Sequence, residues 1–207
     1  MAAALRWTHE DSLRRAGYRL VAGLDEVGRG SLAGPVVAAA VILDRNSRLP
    51  GVKDSKLLPE GKRRQLFGQI VLSAIAYGFG VADAEVVDRM NVYEATREAM
   101  RQAVAALSRP ADALLIDAVH LPAVALPQRS LIHGDRRCLS IAAASILAKV
   151  YRDEMMKEFD SFFPGYRFRT NKGYPTRDHR LAIFSLGLSP LHRRSFSVQK
   201  PPPDGGA

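Results

Sequence analysis

The chain has 207 residues, is 47% apolar, and carries a formal net charge of +9 with a sequence pI of about 10.0. That length suits one full-sized domain with its own core, and the cationic surplus favours a polyanionic partner, nucleic acid ahead of an anionic membrane. A single cysteine, Cys138, excludes an internal disulfide, and no apolar run approaches the roughly 18 residues of a membrane span. With no secretion signal in MAAALRWTHEDSLRR, the expectation is a cytoplasmic protein without membrane contact.

Residues 1–12 carry no strong pattern and are expected to be flexible. Residues 19–24 form a short apolar run that reads as a strand ending in Asp25-Glu26, followed by a turn built from Gly28, Arg29, Gly30 and Gly34-Pro35. Residues 36–43 are continuously apolar, which predicts a buried strand. Pro59 opens a helix that runs to about Ser73, since proline suits a first helical turn. Residues 74–81 predict another strand, and Asn91 to Leu107 a helix with Asn91 as cap and Glu94 completing a capping box. Residues 113–116 predict a short buried strand that delivers Asp117. Leu139 to about Phe159 predicts a long helix whose first half is small or apolar and therefore buried. Residues 178–186 predict a last helix stopped at Gly187, and residues 201–207 a disordered tail. Strands alternating with helices predict an α/β fold. The short link between the first two strands makes that pair antiparallel and the sheet mixed.

The charge is unevenly placed. Residues 165–200 hold eight lysines and arginines against one acid, Asp178, so most of the +9 lies in the last fifth of the chain. Tyr166, Phe168, Tyr174 and Phe196 are interleaved with these cations. A solvated basic face would also be cationic, but aromatics among cations suit phosphate neutralisation plus stacking. The expected organisation is a catalytic domain at 1–164, a basic helical substrate-binding extension at 165–200, and the tail.

Asp25, Glu26 and Asp117 end strands where apolar side chains would otherwise pack, and Asp135 precedes the long buried helix. A carboxylate beside a core is costly unless paired or bound to a cation, so two strands ending in acids suggest a shared site. A single Asp after a strand also serves as a cap or turn residue, and Asp135 alone reads as such a cap. Neighbours on a strand point to opposite faces, so Asp25 and Glu26 reach one cation only if the pleating breaks there. Oxygen ligands without His or Cys suit Mg²⁺ or Mn²⁺. Two such ions about 3.5–4 Å apart can activate water and stabilise a leaving oxygen in phosphodiester hydrolysis. The glycine turn fails the dinucleotide fingerprint, because a strand and not a helix follows it. It does suit close backbone approach to a ribose 2′-hydroxyl.

At this point the chain resembles a known family. Gly23-Leu24-Asp25-Glu26-Val27-Gly28-Arg29-Gly30 and Ala33-Gly34-Pro35-Val36-Val37 are similar to the opening motif of ribonuclease HII. The likeness continues through Asp54-Ser55-Lys56, Leu115-Ile116-Asp117, Gly134-Asp135, and residues 140–153. It ends with Lys172-Gly173-Tyr174-Pro175-Thr176, His179 and His192-Arg193-Arg194-Ser195-Phe196. The alanine-rich long-helix motif resembles the bacterial branch.

The resemblance implies a ribonuclease H-like fold and a Mg²⁺- or Mn²⁺-dependent endonuclease using two metal ions. Its substrates would be RNA/DNA hybrids and ribonucleotides embedded in duplex DNA, cut on the 5′ side to leave 3′-hydroxyl and 5′-phosphate. It implies that Asp25, Glu26, Asp117 and Asp135 hold the metal, that Gly28, Arg29 and Gly30 contact the ribonucleotide, and that Tyr174 stacks on the following deoxyribose. Pro175 stands where many members have glycine, a departure that stiffens the loop. Lys56, Ser145 and Lys149 are weaker candidates for phosphate contact: Ser145 and Lys149 equally suit packing, and an ion pair of Lys149 with Asp153 one turn on is the better reading. His179 and His192 read as structural or phosphate-contacting, and Cys138 as no catalytic thiol. A catalytically silent hybrid-binding protein, or another nuclease of the same fold, is the alternative. No interaction motif argues against a monomer.

Overall fold

The computed structural model describes residues 5, 7–52, 55 and 58–199. Lys56, Asp54 and the tail 201–207 lie outside these. Among the described residues five strands form one mixed sheet: β1 (Val21–Val27), β2 (Val36–Leu43), β3 (Ala74–Ala82), β4 (Ala113–Asp117) and β5 (Gln128–Leu131), in the order β3-β2-β1-β4-β5. β1 pairs antiparallel with β2 and parallel with β4, while β3 and β5 extend the sheet on either side. The helices are α1 (Thr8–Arg15), α2 (Glu60–Ser73), α3 (Ala84–Ala105), α4 (Leu139–Phe162), α5 (Phe168–Asn171) and α6 (Arg177–Leu186). None of the described helices is long and apolar enough to cross a membrane.

β2 is apolar at every position because helices cover both its faces. Val36, Ala38, Ala40 and Ile42 pack with Ala95, Ala99, Met100 and Ala103 of α3. Val37, Ala39, Val41 and Leu43 pack with Leu66 and Ile70 of α2 and with the Ala142–Ala144 run of α4. Such two-sided burial is what a continuous apolar run encodes. A further cluster gathers Met156 of α4, Phe168, Ile183 and Tyr166 against Leu32 and Ala33, so the C-terminal helices dock on the end of α4 beside the glycine turn.

Several elements differ from the sequence expectation. Residues expected to be flexible are helical from Thr8 onward. Leu13 of α1 joins the cluster of Val21, Leu115 and Ile141, while buried Glu10 accepts a hydrogen bond from the Ser140 N–H at 2.8 Å, capping α4 from another helix. β1 carries the acids, as expected, and continues one residue past them to Val27. α3 begins at Ala84, capped by Asp83, whose carboxylate accepts from the Val86 N–H. Asn91 is a cap, as its residue type suggests: it accepts from the N–H groups of Tyr93 and Glu94. It caps a helix resumed after a kink, its own φ being 69°. β5, polar and half exposed at the sheet edge, has no apolar alternation to announce it.

Candidate active site

The site is built on the contact between β1 and α4. A Cβ on Gly23 would stand 2.2 Å from the Ser140 carbonyl carbon and 2.5 Å from the Ile141 nitrogen, so only glycine lets helix and strand approach this closely. Two residues on, Asp25 is buried, with its Oδ1 accepting from the Glu26 N–H at 2.8 Å. The Ser145 hydroxyl of α4 faces it and favours its charged form. The parallel register ends at Leu24 opposite Ile116, which places Asp117, the next residue of β4, beside Asp25. Asp117 accepts from the Gly134 N–H at 2.7 Å. That bond ties the end of β4 to the short 3₁₀ turn Gly134–Arg136, on which Asp135 is buried.

Burial, followed by the repulsion of Glu26 and Asp117, pushes the Asp25 carboxyl well above the usual carboxylate range. Burial, opposed by Arg29 and reinforced by Asp117, also raises Glu26. Its Oε1 meets the Arg29 guanidinium at 3.2 Å, and its Oε2 is buried with no hydrogen-bond partner. A buried, unpartnered carboxylate oxygen beside two further acids is the arrangement a hard cation relieves. The donors are all oxygens, so the residues fit Mg²⁺ or Mn²⁺. The acids are not closed into a ligand shell, however: among the described residues no three of His, Cys, Asp and Glu stand close enough together to hold an ion. The β1–β2 pairing stays in register through Asp25, Glu26 and Val27, yet Asp25 is repelled by Glu26, and both are repelled by Asp117.

The glycine turn is held from beneath by two buried arginines. Gly28 has φ +92°, and a Cβ there would stand 2.3 Å from Arg152 Nε and 2.7 Å from the Pro35 oxygen. Arg193 donates to the carbonyls of Gly28, Arg29 and Gly34 at 2.7–3.1 Å. Arg152 donates to the carbonyls of Pro35, Ala33 and Lys172 and to the Ser31 hydroxyl at 2.8–3.1 Å. Lys172 belongs to the loop that carries Tyr174, whose half-buried ring lies 5.4 Å from the Arg152 guanidinium and 5.7 Å from Lys149 Nζ. The Gly173 carbonyl accepts from Leu32 N–H at 2.8 Å, joining this loop directly to the glycine turn.

The structure therefore brings together Asp25, Glu26 and Asp117, sets Asp135 on the adjoining turn, and packs the Tyr174 loop against Gly28–Gly34. Lys149 is ion-paired with Asp153 at 2.6 Å, as its spacing suggests. Ser145 is buried between Asp25 and Ser55, whose hydroxyl lies 2.9 Å away; here it partners a carboxylate. Lys56 lies outside the described residues. Gly30 is exposed, with nothing within 4 Å of an added Cβ. Sequence reasoning missed the parts played by Arg152, Arg193 and Glu10. A buried arginine that binds carbonyls looks, in sequence, like any surface cation in a basic segment.

The ribonuclease HII family model matches residues 22–199. The chain is 52% identical to a ribonuclease HII of Enterococcus faecalis over 191 residues, 92% of this chain and 74% of that protein. It is 52% identical to one of Geobacter metallireducens over 190 residues, 92% of this chain and 89% of that protein. Its fold superposes on the ribonuclease HII of Archaeoglobus fulgidus, solved in complex with PCNA, with a TM-score of 0.75 at 25% identity, covering 89% of this chain and 98% of that one. Glycine turn, acids and C-terminal loop all fall inside the matched span, and the chain belongs to the ribonuclease HII family of ribonuclease H enzymes.

Proposed function

We propose that this ribonuclease H enzyme cuts the RNA strand of RNA/DNA hybrids, and cuts duplex DNA on the 5′ side of an embedded ribonucleotide, leaving 3′-hydroxyl and 5′-phosphate. The observation that carries the reading is the mutual repulsion of Asp25, Glu26 and Asp117, with Glu26 Oε2 buried and unpartnered. Asp25, Glu26, Asp117 and Asp135 would hold two Mg²⁺ or Mn²⁺ ions. When bound, such ions supply Lewis-acid chemistry for in-line hydrolysis of a phosphodiester.

The remaining work falls to the chain's own groups. Asp25 is kept in place by the Glu26 N–H and the Ser145 hydroxyl, and Asp117 by the Gly134 N–H. The carbonyls of Gly28 and Arg29 are taken by Arg193, so the turn's N–H groups and the Arg29 side chain are what it offers to a ribose 2′-hydroxyl and its phosphate. Tyr174 stacks on the deoxyribose that follows, with Lys149 beside it to meet the backbone. The same reading takes the protein as a cytoplasmic monomer that meets no membrane, working on DNA during replication and repair.

The test is cleavage of a DNA duplex carrying one ribonucleotide, with Mg²⁺ or Mn²⁺ and with EDTA, beside an all-DNA duplex. A single metal-dependent cut 5′ of the ribonucleotide, lost in Asp25→Asn and Asp117→Asn, is expected. Cutting of all-DNA duplex, or full activity in either variant, would overturn the proposal.

A further inference from the structure

Arg193 touches the glycine turn directly, and its neighbour His192 reaches the Tyr174 loop through His179. Arg193 spends its guanidinium on Gly28, Arg29 and Gly34 carbonyls. His192 is buried and faces His179, with the two Nε2 atoms 3.0 Å apart. The protons in this chain can be placed from the partners alone. The Tyr174 carbonyl, 2.9 Å from His179 Nδ1, only accepts, so His179 Nδ1 donates. His179 Nε2 in the neutral ring therefore accepts, and His192 Nε2 donates to it. His192 Nδ1 is left as an acceptor, and the Ser189 N–H, 2.9 Å away, donates to it. The four groups form one directed chain from the Ser189 N–H to the Tyr174 carbonyl. Burial holds both imidazoles below their ordinary pKa, and His179 adds to it for His192, which keeps the chain neutral and its direction fixed.

We infer that His179 and Arg193 are positioning residues that set the separation of the two substrate-reading loops, Arg193 by fixing the glycine turn and His179, its tautomer set by His192, by fixing the backbone of Tyr174. The inference rests on the substrate reading above for what the loops touch. It adds that recognition of a ribonucleotide followed by DNA depends on how far apart the turn and the tyrosine are held. Arginine suits its place because its planar fork binds several carbonyls at once, which lysine cannot reproduce.

Imidazole geometry supplies the test. In His179→Asn the amide can replace Nδ1 and still donate to the Tyr174 carbonyl; in His179→Gln the amide replaces Nε2 and that donor is lost. Affinity for a duplex with one ribonucleotide, and for the all-DNA duplex, is read by fluorescence anisotropy in EDTA. The expected result is that His179→Gln weakens binding of the ribonucleotide duplex about tenfold, roughly the 1.4 kcal/mol of one hydrogen bond. His179→Asn stays within about threefold of wild type, and Tyr174→Ala costs little more on top of His179→Gln. Arg193→Lys is expected to lower the preference for the ribonucleotide duplex over all-DNA duplex about tenfold. Equal losses in the Asn and Gln variants, additive losses with Tyr174→Ala, or an Arg193→Lys effect equal on both duplexes would assign these residues to stability alone and overturn the inference. Should Tyr174→Ala bind as wild type does, the assignment of Tyr174 falls first and the inference with it. A wild type that binds the ribonucleotide duplex preferentially yet does not cut it with metal contradicts only the proposed reaction.

Discussion

Gly23 offers the sharpest test of how the site is assembled. A methyl group at this position would lie 2.2 Å from the Ser140 carbonyl carbon and 2.5 Å from the Ile141 nitrogen, where ordinary contact begins at 3.4 Å. Both obstacles are backbone, so no rotamer change relieves them, and α4 must move away from β1 by about 1 Å. The first turns of α4 are wholly buried from Leu139 to Ala148, so that retreat also loosens the packing against β2. Overpacking of this kind costs about 1–3 kcal/mol, and at roughly 2–4 °C per kcal/mol for a chain of this size Gly23→Ala should lower Tm by about 2–12 °C. The same shift draws the Ser145 hydroxyl away from Asp25, and a misplacement of about 1 Å at a catalytic group costs on the order of 100-fold in rate. Gly30→Ala is the control, because an added Cβ there meets nothing within 4 Å. It should melt as wild type does and lose activity only through substrate contact. Differential scanning calorimetry and single-turnover cleavage decide the matter. A Gly23→Ala protein that melts within about 1 °C of wild type and cuts at the wild-type rate would refute the view that this contact sets the geometry of Asp25.

Three further outcomes follow from other parts of the structure. Glu10→Ala removes the acceptor for the Ser140 N–H at the buried start of α4, which should cost about 1–2 kcal/mol in urea unfolding, the usual range for a lost cap; an unchanged midpoint would mean that α1 contributes nothing to α4. His192 has its pKa held down to about 4 from an ordinary 6.5 by burial and then by His179. The unfolded chain thus binds the extra proton first, and stability present above pH 6.5 should fall by up to roughly 3 kcal/mol as pH drops toward 4. His192→Gln should flatten that part of the urea-unfolding profile, and an equally steep variant would assign the slope elsewhere. Asp25→Asn removes the buried member of three mutually repelling carboxylates, so in EDTA the variant should melt about 2–4 °C above wild type, a gain of about 1 kcal/mol; a lower melting point would mean that Asp25 is a net stabiliser without metal.

How much of this was legible in the sequence depended on whether the signal was local. The continuous apolar run at 36–43 requires cover on both faces, and β2 has it from α2, α3 and α4. The alanine-rich start of α4 announces close packing, and Gly23 is the complementary residue on β1. Asn91 was readable as a cap but not as a kink, because nothing in its residue type says whether a helix precedes it. β5 carries Gln, Arg and Ser at an exposed edge, a composition equally typical of loops. Glu10 pairs with a backbone N–H 130 positions away, and no local rule predicts that. The acids stand out because carboxylates at strand ends violate the apolar pattern, while whether they close into a ligand shell depends on side-chain placement that adjacent residue letters cannot reveal.

The two buried arginines show the same limit from the other side and explain why the glycine turn can hold its shape. A tight turn next to a strand end leaves several carbonyls pointing inward with no ladder partners, and a buried unpartnered carbonyl costs about as much as a lost hydrogen bond. Water could satisfy them, but would leave the turn mobile. Arg193 and Arg152 satisfy Gly28, Arg29, Ala33, Gly34 and Pro35 through rigid forks anchored on the C-terminal segment and on α4. Each is a buried cation whose guanidinium spends its donors on carbonyls and a hydroxyl, so the positive charge beneath the turn is not cancelled by a carboxylate in direct contact. The turn therefore joins two opposite fields: acids at the ends of β1 and β4, and fixed cations under the backbone that follows. On the proposed reading, a phosphate beside the ribose 2′-hydroxyl would be attracted by the second while its scissile neighbour is presented to the first, and the rigidity of the forks would keep those two placements from being independent.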